Sequence, residues 1–152
     1  MDLHKIIRTK NTPCPSIASA IIIGYSVGLK LITGSGAQSL SNIAGSYAGK
    51  ELAIYAMNNG HEFKDINDVE RYFNMLDFAN IEINEEGDEI IVKILKCNIC
   101  PKRICGYEFE GTACPWGGLL IGFINETLKY NLGYQINLKP AETCIIKLKK
   151  KQ

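Results

Sequence analysis

The chain reads as an α+β domain: N-terminal helices packed on an antiparallel sheet of about four to five strands, with one long helix inserted before the last hairpin. Three observations lead there. The first third is apolar in long runs, broken at Gly34-Ser-Gly36 and at Asn58-Asn59-Gly60. From Ile81 the pattern changes to alternation around a Glu85-Glu-Gly87-Asp turn. A last helical stretch, residues 115–131, then precedes two short alternating runs. At 152 residues and 46% hydrophobic the chain can bury one substantial core, so residues 1–152 are expected to form a single domain.

The first helix is expected over Ile17 to Ile32, started by Ser16 after Pro15 and stopped by Gly34-Ser-Gly36. Gly24 and Gly28 give it the G-x3-G pattern of packed membrane helices, but the segment is short for a span and carries Lys30. It is therefore read as a buried helix of a soluble protein, covered on every side. A second helix, about Leu40 to Met57, repeats the device with Gly45 and Gly49. Small residues four apart let backbones approach, whether those of the two helices or of two copies, and a homodimer is expected. The Gly34-Ser-Gly36-Ala-Gln-Ser stretch follows no strand and lacks both a third glycine and a Gly-Lys-Ser/Thr ending, so it is a helix-to-helix turn rather than a phosphate cradle.

Asp65 or Asn67 caps a third helix with Ile66, Val69, Phe73 and Leu76 at helical spacing. A hairpin follows, Ile81-Glu-Ile83 with Ile90 to Lys96, and its second strand ends at Cys97. A short strand is expected around Tyr107-Glu-Phe109-Glu. The helix of residues 115–131 sets Leu119, Leu120, Phe123, Ile124, Thr127 and Leu128 along one face, with Gly133 just past its end. The last strands are expected at residues 134–138 and 143–149, joined by Lys139-Pro140-Ala-Glu142, with Cys144, Ile146 and Leu148 facing inward.

Five of the six cysteines lie in the second half, and Cys97, Cys100, Cys105 and Cys114 follow C-x2-C-x4-C-x8-C. Thiolates are soft ligands that zinc gathers in fours, and a C-x2-C pair delivers two sulfurs from one tight turn. Cys144 is a fifth candidate, so the metal set is four among Cys97, Cys100, Cys105, Cys114 and Cys144. Cys14, between Pro13 and Pro15, reads as a small buried hydrophobe in a turn. Pro115 suits the first helical position, which puts Cys114 at the N-cap, where amide N–H groups and the helix dipole favour a thiolate. An iron–sulfur cluster would use the same sulfurs. A dithiol redox site would use Cys97 and Cys100, although Pro101 hinders the helix that activates such a pair.

Net charge is +1, so nothing global drives the chain onto nucleic acid or a membrane, and the lysines from Lys147 to Lys151 read as a solvated strand end. The N-terminal residues show no cleavable signal, which makes a cytoplasmic location the expectation, with thiols kept reduced. His4 and His61 stand in no recognisable catalytic motif, no catalytic residue is nominated, and enzymatic activity is not expected.

The stretch Glu110-Gly111-Thr-Ala-Cys114-Pro-Trp-Gly-Gly-Leu-Leu-Ile-Gly122, the run Gly133-Tyr-Gln-Ile-Asn-Leu138 and the late Cys144-Ile-Ile-Lys-Leu148 together resemble the C-terminal half of the 4-vinyl-reductase-like domain. That module is related in fold to nitric-oxide-sensing haem domains and to TRAPP subunits. The resemblance implies a module that binds a small hydrophobic or tetrapyrrole-like ligand and is stiffened by a cysteine-ligated zinc, with Cys114 and Cys144 as ligands. Relatives that bind phenolic effectors carry a Glu-x2-Cys before the last cysteine. Here that hairpin is cut short, Glu142 is a weak substitute, and Cys97 and Cys100 are the sulfurs that could make up the set. The ligand pocket is expected between helices and sheet, near Tyr25, Phe73, Phe109, Trp116 and Phe123. A dimerising scaffold without ligand is the third alternative.

Overall fold

The computed structural model describes residues 6–8, 16–134 and 143–151. The expectations for His4, for Cys14 in its proline-flanked turn, and for most of the strand and turn over residues 135–142 lie outside them. The fold is α+β, with a four-stranded antiparallel sheet.

Helix α1 runs Ile17–Thr33 and begins where the Ser16 side chain accepts the Ser19 N–H at 3.0 Å. Gly34, at φ 56°, ends it in a conformation open to glycine, and after a 3-10 turn at Gly34–Gly36 helix α2 runs Ala37–Asn58. By length and composition the stretch Ile17–Asn58 is long and apolar enough to cross a membrane. The expectation that α1 is buried all round is corrected by its exposure. Its buried stripe is Ser19, Ile23, Ser26 and Lys30, whereas Ile17 is 81%, Tyr25 72% and Ile32 82% exposed. Serines tolerate this because their hydroxyls turn back onto the helix: Ser26 Oγ donates to the Ile22 carbonyl at 2.9 Å and Ser16 Oγ donates to Ser19 Oγ at 2.9 Å.

The two glycine pairs have different fates. A Cβ at Gly24 or Gly28 would meet nothing within 4 Å. Gly45 and Gly49 instead face helix α4, Trp116–Leu128, which answers with Gly118 and Gly122. A Cβ at any of these four would come closer than 3.0 Å to backbone across the contact: Gly45 to Pro115 O, Gly49 to Leu119 O, Gly118 to Asn42 O and Gly122 to Ser46 O. The helices therefore cross backbone to backbone, and α4 rather than α1 is the partner of α2.

Asp65 caps α3, Ile66–Met75, with a capping box completed by Asp68. Strands β2 (Ala79–Glu86) and β3 (Glu89–Cys97) form the expected hairpin, closed at Gly87 with φ 61°. The sheet order is β2-β3-β6-β5, with β5 at Leu132–Tyr134 and β6 at Cys144–Lys150. A separate ribbon pairs β1, Ile7–Arg8, with β4, Tyr107–Glu108. Helix α4 stops at Leu128, short of the expected Asn131, because Lys129 takes the left-handed conformation at φ 58°. It packs on β5 and β6 on one side and on α2 on another, while α3 covers β2. The core is an aromatic cluster: Phe73 and Phe123 centroids lie 4.8 Å apart, Tyr72 and Phe123 5.3 Å, Phe73 and Trp116 5.8 Å.

Gly49→Ala and Gly122→Ala are each expected to destabilise the protein by about 2–4 kcal/mol through overpacking. Gly24→Ala is expected to be neutral or stabilising by up to about 1 kcal/mol, because the position is open and helical. Urea unfolding of the three variants checks this ordering.

Candidate functional site

Cys97, Cys100, Cys114 and Cys144 line one cavity of about 40 Å³, together with Ile99, Pro101, Lys102, Phe109, Thr112 and Ala113. Three segments supply them. Cys97 closes β3 and Cys100 lies in the turn beyond it; Cys114 precedes α4; Cys144 opens β6. Strands β3 and β6 run antiparallel with Ile94 opposite Cys144, so the start of β6 lies beside the end of β3.

Cys97 faces inward because of an irregularity in β3. Ile90, Val92 and Ile94 point into the core, and strict alternation would send Lys96 in and Cys97 out. In the pairing with β2, Ile81 matches Ile94 but Asn80 matches Lys96, so Leu95 is an extra residue. This β-bulge exposes both Leu95 and Lys96 and returns Cys97 to the interior. Arg103 Nη1 donates to the Leu95 carbonyl at 3.2 Å, tying the cysteine loop to the bulge. The signal was present in the sequence as a lysine at the position where the apolar alternation called for an inward residue.

Cys114 is held from outside its own segment. The Gln38 amide on α2 donates to the Cys114 carbonyl at 2.8 Å and accepts the Cys114 N–H at 3.0 Å, as a neighbouring strand would. Thr112 Oγ1 donates to the same Gln38 oxygen at 2.5 Å, and Gln38 also donates to Asn42 Oδ1 at 2.8 Å. Sequence reasoning passed over Gln38, since a glutamine at the start of a helix carries no pattern that points 76 residues ahead. The N-cap itself is Pro115, with helical backbone, and not Cys114 as expected. The thiol still meets the helix end, because the Trp116 backbone N–H donates to Cys114 sulfur.

The sulfurs sit among donors. Trp116 Nε1–H donates to Cys97 Sγ at 3.2 Å, and the Ile99 backbone N–H donates to the same sulfur. Burial nevertheless pushes the thiols of Cys97 and Cys114 above their ordinary value near 9.0, Cys114 strongly. The part of Cys114 left accessible borders the cavity. The other three sulfurs add to the effect at Cys114, and Cys100 and Cys144 do so at Cys97. Lys102 is shifted the opposite way, below its usual range, first by burial and then by the nearby Lys30, while Cys100 counteracts both.

Cys105 is buried and does not line the cavity. No disulfide joins any two of the five described cysteines. Among the described residues no group of three or more Cys, His, Asp or Glu side chains stands close enough together to hold a metal ion. Of the five residues expected at a ligand pocket, Phe109 lines the sulfur cavity. Phe73, Trp116 and Phe123 are packed against one another at 3% exposure or less, which leaves no ligand space between them, and Tyr25 faces outward.

A family profile described as the MJ0207 family matches residues 17–150. The protein MJ0207 of Methanocaldococcus jannaschii is 85% identical over 151 residues, covering 99% of this chain and 100% of that protein. MJ1342 of the same organism is 34% identical over 101 residues, 65% of this chain and 86% of that protein. Both carry the description of uncharacterized proteins, and neither name states a chemistry.

Replacing Gln38 by Ala leaves the Cys114 amide and carbonyl without partners. A loss of about 1–3 kcal/mol in urea unfolding is expected, with faster alkylation of Cys114 by iodoacetamide than of Cys105.

Proposed function

The chain belongs to the MJ0207 family, and we propose that it is built around a structural zinc centre held by Cys97, Cys100, Cys114 and Cys144. The observation that carries this is that four cysteines from three separate segments line one small cavity. The donor set fits the ion: four soft ligands, two from a C-x2-C turn, with N–H groups aimed at Cys97 and Cys114 to stabilise them once ionised. Both cysteines that the 4-vinyl-reductase-like resemblance assigns to zinc are among the four. When bound, zinc would cross-link the end of β3, the start of β6 and the start of α4, stabilising the fold without redox chemistry.

The cavity volume argues against a larger occupant at this site. A water needs about 10–15 Å³ by this measure, so 40 Å³ holds an ion or a few waters, far below the ~300 Å³ at which small-molecule pockets begin. A hydrophobic or tetrapyrrole-like ligand is accordingly not part of the function proposed here.

Elemental analysis is expected to give about one zinc per chain, bound through four of the thiols. Iron with acid-labile sulfide would replace this reading by the cluster alternative, and four thiols equally reactive before and after chelation would remove it. The pH dependence supplies a sign. A thiol whose pKa is raised by folding adds stability below about pH 9, and that stability is lost as pH rises further. Metal-free protein is thus expected to weaken at alkaline pH. Metal-loaded protein weakens toward acid instead, because protons compete for the sulfurs.

A homodimer is the second proposal, and the outer face of α1 supports it. Ile17, Ile21, Tyr25 and Ile32 form one exposed apolar stripe beside Gly24 and Gly28, which are open to a close approach. The opposite face of α1 has one lysine rather than the basic set that lipid surfaces attract. Sedimentation equilibrium is expected to show a dimer that Tyr25→Asp converts to monomer; a monomeric parent protein at ~100 μM would end this proposal.

A further inference from the structure

Among the described residues Lys30 is the one charged residue that is buried, at 5% exposure, and it sits on the inward stripe of α1. Its Nζ lies 6.0 Å from the centroid of the Phe109 ring, a wall of the sulfur cavity, and 3.3 Å from where a Cβ on Gly111 would stand. Lys102 lines the cavity itself, with Nζ 4.9 Å from the same centroid. Two ammonium groups thus flank one ring at the edge of the cysteine site. Neither forms an ion pair with a carboxylate among the described residues. Glu108 and Glu110, the acids nearest in sequence, are exposed, and among the described residues the only charged one on the cavity wall is Lys102.

Removing an ammonium from water costs several kcal/mol unless an anion answers it, and bringing a second one near raises that cost. The ring faces recover only about 1–2 kcal/mol through cation–π attraction. The negative charge that these lysines lack is the charge a cysteine centre acquires when it ionises: four thiolates around a divalent ion carry a net charge of −2. We propose that Lys30 and Lys102 are the counter-charges of the metal-loaded cysteine centre, balancing its two negative charges with two positive ones. This rests on the reading of the site as a metal centre. It makes α1, which contributes no sulfur, a part of that site, and it accounts for a helix that turns a lysine and two serines inward beside Ile23 while Ile17, Ile21 and Ile32 face out.

Both lysines act through the thiolates and touch no metal, so they are positioning residues, and a structural role must be told apart from an electrostatic one. Lys30→Met, Lys102→Met and Lys30→Arg are titrated with cobalt(II) alone under reducing conditions, following the sulfur-to-cobalt charge-transfer band and competing with a chelator. Unfolding midpoints are taken with and without metal. Each Met variant is expected to bind cobalt about tenfold more weakly, with Lys30→Arg close to the parent. The metal-free Lys30→Met protein is expected to be about as stable as the metal-free parent, because the ammonium has no carboxylate partner to lose among the described residues. Weaker metal binding with unchanged stability of the empty protein is what a purely structural lysine does not produce. Parent protein that shows the cobalt–sulfur band while both Met variants bind as tightly as it does would overturn the counter-charge role alone. Parent protein without that band would overturn the metal reading and this inference with it. Lys102 is only partly buried, so its variant folds even if Lys30→Met does not, and an unchanged affinity there alone defeats the balance of two charges.

Discussion

Four glycines let α2 and α4 touch at their backbones, and the position of the sulfur site follows from that contact. Gly45 meets the Pro115 carbonyl and Gly118 meets the Asn42 carbonyl, so the first turns of α2 are pressed against the start of α4. Only at that separation can the short amide of Gln38 span to both backbone groups of Cys114. A side chain at any of the four positions would move the helices apart and lengthen those hydrogen bonds beyond use. Helix crossing and site geometry are one constraint, written in residues that lack side chains.

The sheet contributes the opposite kind of device, an added residue rather than a missing group. Leu95 shifts the phase of β3 by one, which lets a strand with a continuous inward face from Ile90 to Ile94 also deliver Cys97 inward past an exposed Lys96. The antiparallel register of β6 then carries Cys144 to the same end of the sheet. Cys97 and Cys144 are consequently mounted on the ends of strands, elements stiffer than the loop that carries Cys100 and Cys114. Among the described residues the pocket is consistent: N–H donors meet the Cys97 sulfur, Lys102 lines the wall, and no carboxylate does.

Much of the architecture was legible. The hairpin at Gly87, the Asp65 cap and the inward face of Ile146 and Leu148 each depend on neighbours within a few residues, and all are found where local pattern placed them. The cysteine site was legible as a set of candidates. Of five sulfurs, the cavity takes Cys144 and omits Cys105, a choice between residues 39 apart that depends on which strand lies beside β3. The aromatic residues were legible as buried but not as mutually packed, since ring-to-ring contact among Phe73, Trp116 and Phe123 joins elements distant in sequence.

Composition and periodicity settle what is local: helix or strand, where each begins, and which residue types carry soft-metal chemistry. They do so because backbone hydrogen bonds and side-chain alternation repeat over two to four residues. Partner choice is another matter. Two G-x3-G helices look alike in one dimension, yet one pair is sealed against α4 and the other is open, and Gln38 meets Cys114 and Lys30 meets Phe109 across more than 70 residues each. Such meetings depend on packing free energy summed over the whole chain, and no window along the sequence contains it.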